Sequence, residues 1–426
     1  MRYQQYIDSK VNWIGLVPND WQRTRIKFGI RRSAAGVWGN DEKGNSDDVI
    51  CFRIADFDYP HGELKLDNIT LRNIEKNQLE GRLLSYGDLL IEKSGGGDAT
   101  PVGRVVRVNY EGKATCSNFI HSLTLNEKLD NNFMYYYFHF LYSNKVNLLF
   151  FNQTTGLQNL KVSDYLSQSI YVPTIDEQKA IANYLGIQCA KIDKVIAAQE
   201  KRVELLQELK QSFITRAVTK GINSHVKMRD SGVEWIGQIP EHWEIKKLKY
   251  LFSNLDYLRQ PITADQRSKN NPIYDYYGAS GIIDKIDFYN VDDTVLLIGE
   301  DGANLVFRNL PLIYKASGKF WVNNHAHILK PLIGVDYEYM YYTMECADYS
   351  TFITGSAQPK LSQENMNQVQ YPLPPLSEQC KISKYIERKT IKIDSFITKA
   401  LCQIELLKEY KQSLITEVVT GKRKVS

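Results

Sequence analysis

Leu185, Ile192, Leu206 and Phe213 fall on a seven-residue spacing, with the polar Gln199 in the one gap. The same spacing returns at Ile386, Ile393, Ala400, Leu407 and Leu414. An apolar repeat of seven marks a helix that buries one stripe along a partner helix. Residues 176–220 and 376–426 are therefore predicted as two long helices that pair through these seams. Their ends are punctuated as helices require. Asp176 and Ser377 are N-cap residue types after Pro173 and Pro375, Glu177-Gln178 and Glu378-Gln379 suit a first turn, and Gly221 and Gly421 stop the copies. About 40 residues at 1.5 Å each give a rod of roughly 60 Å, longer than one domain needs to cover its core. In residues 1–175 and 221–375, β-branched and aromatic positions alternate with Gly, Asn and Asp, as in Val102–Gly112 and Gly281–Asp293. These segments predict mixed sheet with short helices. The expected class is α+β: two mixed α/β domains separated by two long helices that form an antiparallel coiled coil.

The chain repeats itself once, which explains that alternation. Asp8–Trp21 reads DSKVNWIGLVPNDW and Asp230–Trp243 reads DSGVEWIGQIPEHW. Pro173–Lys220 aligns without a gap to Pro374–Gly421. Between these signatures the likeness thins to echoes: LLIEKSGGG (Leu89–Gly97) against LLIGEDG (Leu296–Gly302), Ser117-Asn118 against Asn323-Asn324, and aromatic clusters at Tyr135–Tyr137 and Tyr339–Tyr342. Each half is a fixed frame around a variable insert, and the inserts are expected to share a fold. A pseudo-two-fold internal repeat with antiparallel helices describes a spacer with two heads.

Composition narrows the chemistry. With 426 residues, 43% hydrophobic and 24% charged, the chain is an ordinary globular protein of more than one domain. No apolar run approaches the roughly 18 residues of a membrane span, and Met1–Lys10 lacks the apolar core of a signal peptide. A cytoplasmic protein is expected. The six cysteines at 51, 116, 189, 346, 380 and 402 form no C-x-x-C and predict buried free thiols. Motifs for catalysis are weak. Asn271-Pro272-Ile273-Tyr274 resembles the N-P-P-Y loop of amino-methyltransferases but lacks the second Pro and a preceding glycine-rich cofactor loop, so it reads as a turn. Glu63-Leu64-Lys65 and Glu177-Gln178-Lys179 have the E-x-K form of a nuclease metal site without the upstream Pro-Asp. Gly95-Gly96-Gly97 is not a phosphate-binding P-loop and reads as a mobile tip. His325 and His327 lie on one face of an extended strand, yet no third metal ligand is visible nearby. No catalytic, cofactor-binding or metal residue is assigned.

The net charge of +4 is modest, and the positive balance lies on the long-helix segments. Arg23, Arg25, Lys27, Arg31 and Arg32 nevertheless cluster after Trp21, and Lys246, Lys247 and Lys249 after Trp243. Such clusters suit either phosphate contact or a solvated strand. Four motifs, each present twice and in the same order, carry a resemblance: W-I-G-x-[IV]-P-x-x-W at Trp13–Trp21 and Trp235–Trp243, the helix starts P-T-I-D-E-Q (Pro173–Gln178) and P-P-L-S-E-Q (Pro374–Gln379), the K-I-D triplets at Lys191–Asp193 and Lys392–Asp394, and the K-Q-S-x-I-T ends at Lys210–Thr215 and Lys411–Thr416. Over its whole length the chain resembles the specificity subunit of type I restriction-modification systems. That resemblance implies two target recognition domains, each reading half of a split double-stranded DNA sequence. It also implies a helical ruler that docks two methyltransferase subunits, which recruit restriction subunits. S-adenosylmethionine, ATP and Mg would belong to those partners, with no cofactor in this chain.

Target domains share no fixed reading motif, so candidate DNA-binding residues rest on polarity and repeated position. They are Lys93, Ser94, Asn118, Gln158 and Lys161 in the first head, and Glu300, Asn323, Asn324, His325, Gln358 and Lys360 in the second. Helix pairing is assigned to Leu185, Ile192, Leu206, Phe213, Ile386, Ile393, Leu407 and Leu414. Two rival readings are a coiled-coil scaffold that binds only proteins and a stand-alone DNA methyltransferase or nuclease.

Overall fold

The computed structural model describes residues 2–97, 99–154, 157–267, 272–355 and 359–425. Its contacts form two compact units, residues 1–200 with 402–426, and residues 201–401. The division cuts across both long helices, so each unit combines one insert with a helix segment from each half of the sequence.

The first unit carries a four-stranded sheet in the order Val105–Arg107, Leu89–Glu92, Ile120–Leu125, Ile30–Ala35, all neighbours antiparallel. In the second unit the corresponding strands Ile313–Val322, Val291–Gly299, Ala326–Pro331 and Phe252–Asn254 keep that order. The inserts thus share a sheet core despite their scattered identity. They differ around it. Tyr274–Gly278 and Gly281–Ile286 extend the second sheet to six strands, whereas the first unit builds a separate sheet from Ala114–Cys116, Asp48–Phe52, Leu71–Asn73 and Asn40–Asp41. An aromatic helix α1 (Asn131–Ser143) buries Phe133, Met134, Tyr137, Phe138 and Phe140 in the first core.

The first long helix, α2, runs Ile175–Lys220. The second insert supplies α3 (Tyr337–Cys346), and the second long helix is α4 (Leu376–Val419). The two long helices start one residue earlier than the N-cap assignment at Asp176 and Ser377. Thr174 caps α2, its Oγ1 accepting the Glu177 amide at 3.4 Å, and the Glu378 amide donates to Pro375 O at 2.8 Å. Gly221 and Gly421 do follow the helices, at φ of +73° and +71°, where a Cβ would be strained. They also leave room for tryptophan. A Cβ on Gly421 would lie 3.2 Å from Trp21, and one on Gly221 would lie 3.1 Å from Trp243. The two W-I-G signatures are antiparallel hairpins whose final Trp seals the end of a long helix.

Within each unit the two helix segments run antiparallel. Of the predicted seam, Leu185, Ile192, Ile386, Ala400 and Leu414 are buried, and Leu206, Phe213, Ile393 and Leu407 are half-buried. A second stripe, not assigned from sequence, completes the interface: Cys189, Ile196, Val203 and Ala217 on α2, and Thr390, Ile397, Ile404 and Val418 on α4. Lys210 and Lys411 occupy positions on that stripe. Lys411 Nζ sits 2.7 Å from both carboxylate oxygens of Asp193, and Lys210 Nζ sits 2.7 and 2.8 Å from those of Asp394. The K-I-D and K-Q-S motifs are therefore two halves of one contact, made once in each unit. Sliding the helices by a turn would leave partly buried lysines unpaired, so the pairs define register.

The Glu-Gln motif also has a structural role beyond the first turn. Gln178 is buried; its Oε1 accepts the Asp130 amide at 2.9 Å, and its Nε2 donates to Lys128 O and Pro173 O at 3.1 and 3.0 Å. Gln379 repeats this on Asp336 N, Gly334 O and Pro374 O at 2.8, 3.2 and 2.8 Å. Asp130 and Asp336 in turn cap α1 and α3. One amide thus locks the insert's main helix to the start of a long helix. Cys51, Cys116 and Cys189 are buried as predicted, but Cys402 is exposed and Cys346 and Cys380 are only partly covered; all six are free. Among the described residues no helix is long and apolar enough to cross a membrane.

Gln178→Leu and Gln379→Leu each strand a buried amide and two carbonyls, and each is expected to lower the unfolding free energy by about 3 kcal/mol, measured by urea denaturation. For the Lys411–Asp193 pair, a double-mutant cycle with Lys411→Met and Asp193→Leu is expected to give a coupling of about 1 kcal/mol, limited by solvent around Asp193.

Candidate nucleic-acid interface

In each unit two backbone bonds tie three loops together. In the first, Lys93 N donates to Phe119 O at 2.8 Å and Leu160 N donates to Lys93 O at 2.8 Å. In the second, Glu300 N donates to His325 O at 2.8 Å and Leu361 N donates to Glu300 O at 2.9 Å. Lys93 and Glu300, Phe119 and His325, Asn118 and Asn324, and Asn159 and Lys360 therefore occupy equivalent places. The echoes LLIEKS and LLIGED, and Ser117-Asn118 and Asn323-Asn324, mark the same junction twice.

Most of the candidate residues gather there, in different states. Asn118 and Lys161 are exposed and Lys93 is half-buried. Ser94 Oγ donates to Asn159 Oδ1 at 2.7 Å. Gln158 is buried, with its Oε1 accepting the Val102 amide at 3.2 Å, so it holds the glycine-rich segment and offers nothing to a ligand in this arrangement. That segment is not the loose tip expected from its composition. Gly95 pairs with Gln158 in a strand, and at Gly96, φ +67°, a Cβ would meet the Val102 amide at 2.9 Å.

In the second unit Glu300 lies 3.7 Å from both Arg259 and Lys360. Asn323 is buried and accepts the His325 amide at 2.8 Å, which shapes the turn that exposes Asn324. Gln358 lies outside the described residues, as does Asn271 of the N-P-I-Y turn. His325 and His327 do not act as a metal pair. The His327 Nε2 donates to Leu361 O at 2.9 Å and its Nδ1 lies 2.5 Å from Asp256 Oδ2, so both ring nitrogens are engaged. Burial would raise the Asp256 carboxyl, but the contacts from His327, the Ile328 amide and Arg259 outweigh it and hold it below the usual range. The E-x-K glutamates are engaged too: Glu63 pairs with Arg107, and Glu177 accepts from the Tyr3 hydroxyl. Among the described residues no group of three or more His, Cys, Asp or Glu is placed to hold a metal.

The basic clusters after the tryptophans are partly consumed by structure. Arg32 pairs with buried Asp88 at 2.8 Å, Lys246 with Glu244, and Lys247 bonds Gln368. Arg25, Lys27, Arg31 and Lys249 remain exposed. Sequence reasoning missed Asn159, Arg259 and Asp301 at the junctions. It also missed His121, equivalent to His327, whose Nε2 lies 2.7 Å from Ser33 Oγ. A further omission is on the long helices. Val195, Leu406 and Tyr410 are exposed in the first unit, and Phe396, Leu205 and Leu209 in the second. These match pairwise in the gapless helix alignment, and that coincidence of apolar types off the seam was a legible signal.

Comparison with known proteins follows this geometry. The family model for the type I restriction modification DNA specificity domain matches residues 65–205 and 240–406. The chain belongs to this family and carries its domain twice; it is a type I restriction-modification specificity subunit, the non-catalytic class in such systems. Three proteins named as type I restriction enzyme specificity subunits align with it. One from Haemophilus influenzae is 29% identical over 38% of this chain and 39% of its own length. MjaVIII of Methanocaldococcus jannaschii is 25% identical over 64% and 66%, and MjaX of the same organism is 23% identical over 97% and 96%. The alignments thus span from under half to nearly all of these relatives. Among solved structures, a chain from work on complex assembly and conformational transition of the type I R-M system gives a TM-score of 0.73 at 13% identity, covering 95% of this chain and 98% of that one. The HsdS subunit from Thermoanaerobacter tengcongensis gives 0.51 at 14%, covering 96% and 98%. These likenesses establish the fold.

Burial lowers both His121 and His139 from 6.5 to about 4, helped by Lys93 and Lys411 respectively. The unfolded chain binds these protons near pH 6.5 and the folded chain only near 4. Their contribution is therefore complete above about pH 6.5 and is lost as pH falls toward 4. Urea midpoints of the wild type should drop across that window, and His139→Phe should flatten the slope.

Proposed function

We propose that each junction reads one half of a split double-stranded DNA target, and that the long helices space the two readers and dock two methyltransferase subunits, to which restriction subunits are added. The observation that carries this reading is a contrast between frame and side chains. Both units build the same loop junction yet place different polar groups on it, as two different half-sites require. The helix-borne trios instead repeat the same residue type, as two copies of one partner require. Exposed apolar side chains at i and i+4, such as Leu205 with Leu209 and Leu406 with Tyr410, suit a partner helix laid against them. The modest net charge implies weak DNA binding by this chain alone, since phosphate neutralisation supplies most non-specific affinity. In this reading the partners close on the DNA and supply S-adenosylmethionine, ATP and Mg chemistry in the cytoplasm.

The test is co-expression with the candidate methyltransferase subunit in a methylation-deficient bacterium, with modified adenines mapped by single-molecule sequencing. A single split motif with a constant gap is expected. Methylation without sequence preference would favour the protein-binding scaffold instead. Leu205→Asp with Leu209→Asp, or Leu406→Asp with Tyr410→Asp, should each abolish binding of one of two methyltransferase copies, read as a fall in complex mass by light scattering.

A further inference from the structure

We propose that Asp301 reads an exocyclic amino group in the half-site facing the second unit, that of cytosine N4 in the first place. The inference rests on the DNA-reading function above. It makes this position the point where the two heads demand opposite hydrogen-bonding partners.

The loop ties fix the comparison, because the residue after Lys93 in the first unit is equivalent to the residue after Glu300 in the second. In the first unit it is Ser94, whose hydroxyl is spent on Asn159 at 2.7 Å. The Asn159 amide nitrogen is left to donate outward, beside Lys93. In the second unit the position is Asp301, beside Glu300.

Asp301 is an aspartate at a helix N-cap that does not cap. It precedes the short helix Gly302–Phe307, yet its side chain accepts no cap bond. Asp130 and Asp336 do cap α1 and α3, accepting amides at 2.8 Å. An uncapped N-cap aspartate forgoes about 1 kcal/mol of helix stability. Its carboxylate is instead half exposed, and the nearest cation, His325 Nδ1, stands at 3.9 Å, beyond hydrogen-bond range. The other two cations of the junction, Arg259 and Lys360, are turned to Glu300. The backbone beneath is rigid. Asp301 bridges Lys360, the Gly302 amide donates to Pro359 O at 2.9 Å, and a Cβ on Gly302 would meet Ile353 and Pro359 at 2.7 and 2.9 Å. Asp301 is thus a fixed, outward acceptor with no partner among the described residues.

A carboxylate facing DNA is repelled by phosphate, so it is tolerated only where it meets a donor. In the major groove, donors on the base edges are the amino groups of cytosine and adenine. Guanine O6 and N7 and thymine O4 are acceptors, and each would face the carboxylate unfavourably. Asp301 therefore both selects an amino base and rejects the others. The first head, with Lys93 and Asn159 as donors, is suited to acceptor edges at the equivalent position.

The experiment compares methylation maps of the assembled complex carrying wild-type, Asp301→Ser or Asp301→Asn specificity chains. The expected wild-type motif has cytosine, or by the same chemistry adenine, at a position of one half-site where Asp301→Ser lowers discrimination about tenfold. The identity of that base distinguishes the two sources. The other half-site should stay unchanged, which also reports that the variant is folded and assembled. Asp301→Asn keeps the shape of the side chain and should shift the preference toward adenine. Unchanged motifs in both variants, or a relaxed position that specifies guanine or thymine, would overturn the inference while leaving the function standing. A wild-type complex that yields no split motif would overturn the function itself.

Discussion

One buried glutamine per unit, Gln178 and Gln379, holds together what this architecture needs to keep together. A reading loop is useful only if its position along the spacer is fixed, and the inserts join the long helices through few chain connections. The glutamine amide solves this at a single point. Three bonds reach the turn before the insert's main helix, that helix's capping aspartate, and the entry to the long helix. Because the amide is buried, each bond is worth more intact than its modest net contribution suggests, since breaking one leaves a desolvated group without a partner. The aromatic core of α1 and the tryptophan seal at each helix end then pack around an already defined geometry.

The lysine–aspartate pairs act on the other axis of freedom. Apolar stripes specify that two helices associate but tolerate sliding by a heptad. A half-buried lysine that finds its aspartate at only one register removes that tolerance. Each unit contains one such pair, built from one helix of each sequence half, so neither half of the sequence can complete a unit alone.

At the junctions, shared backbone bonds separate shape from content. The ties through Lys93 and Glu300 carry no information about side chains, so the side chains there are free to differ. Lys93, Ser94 and Asn159 stand where Glu300, Asp301 and Lys360 stand. The same logic applies to His121 and His327, which occupy one strand position but face a hydroxyl in one case and a carboxylate and carbonyl in the other.

The repeat, the long helices, their glycine stops and one apolar seam were legible in the sequence, because helix periodicity and left-handed caps are local consequences of residue type. The junction echoes were legible as well, since strand ends and turns retain small polar signatures. Tertiary structure alone decided three things. The Glu-Gln pair, readable as a first-turn preference, became a clamp because its partners are backbone groups dozens of residues away. Gln158 and Asn323, indistinguishable in polarity from Asn118 and Asn324, became structural because burial is set by neighbouring strands. The compact units joined segments from both halves of the chain, because an antiparallel helix pair brings each helix's start beside the other's end. Local chemistry fixes which elements form, but the partner of a polar side chain depends on what the fold brings to it.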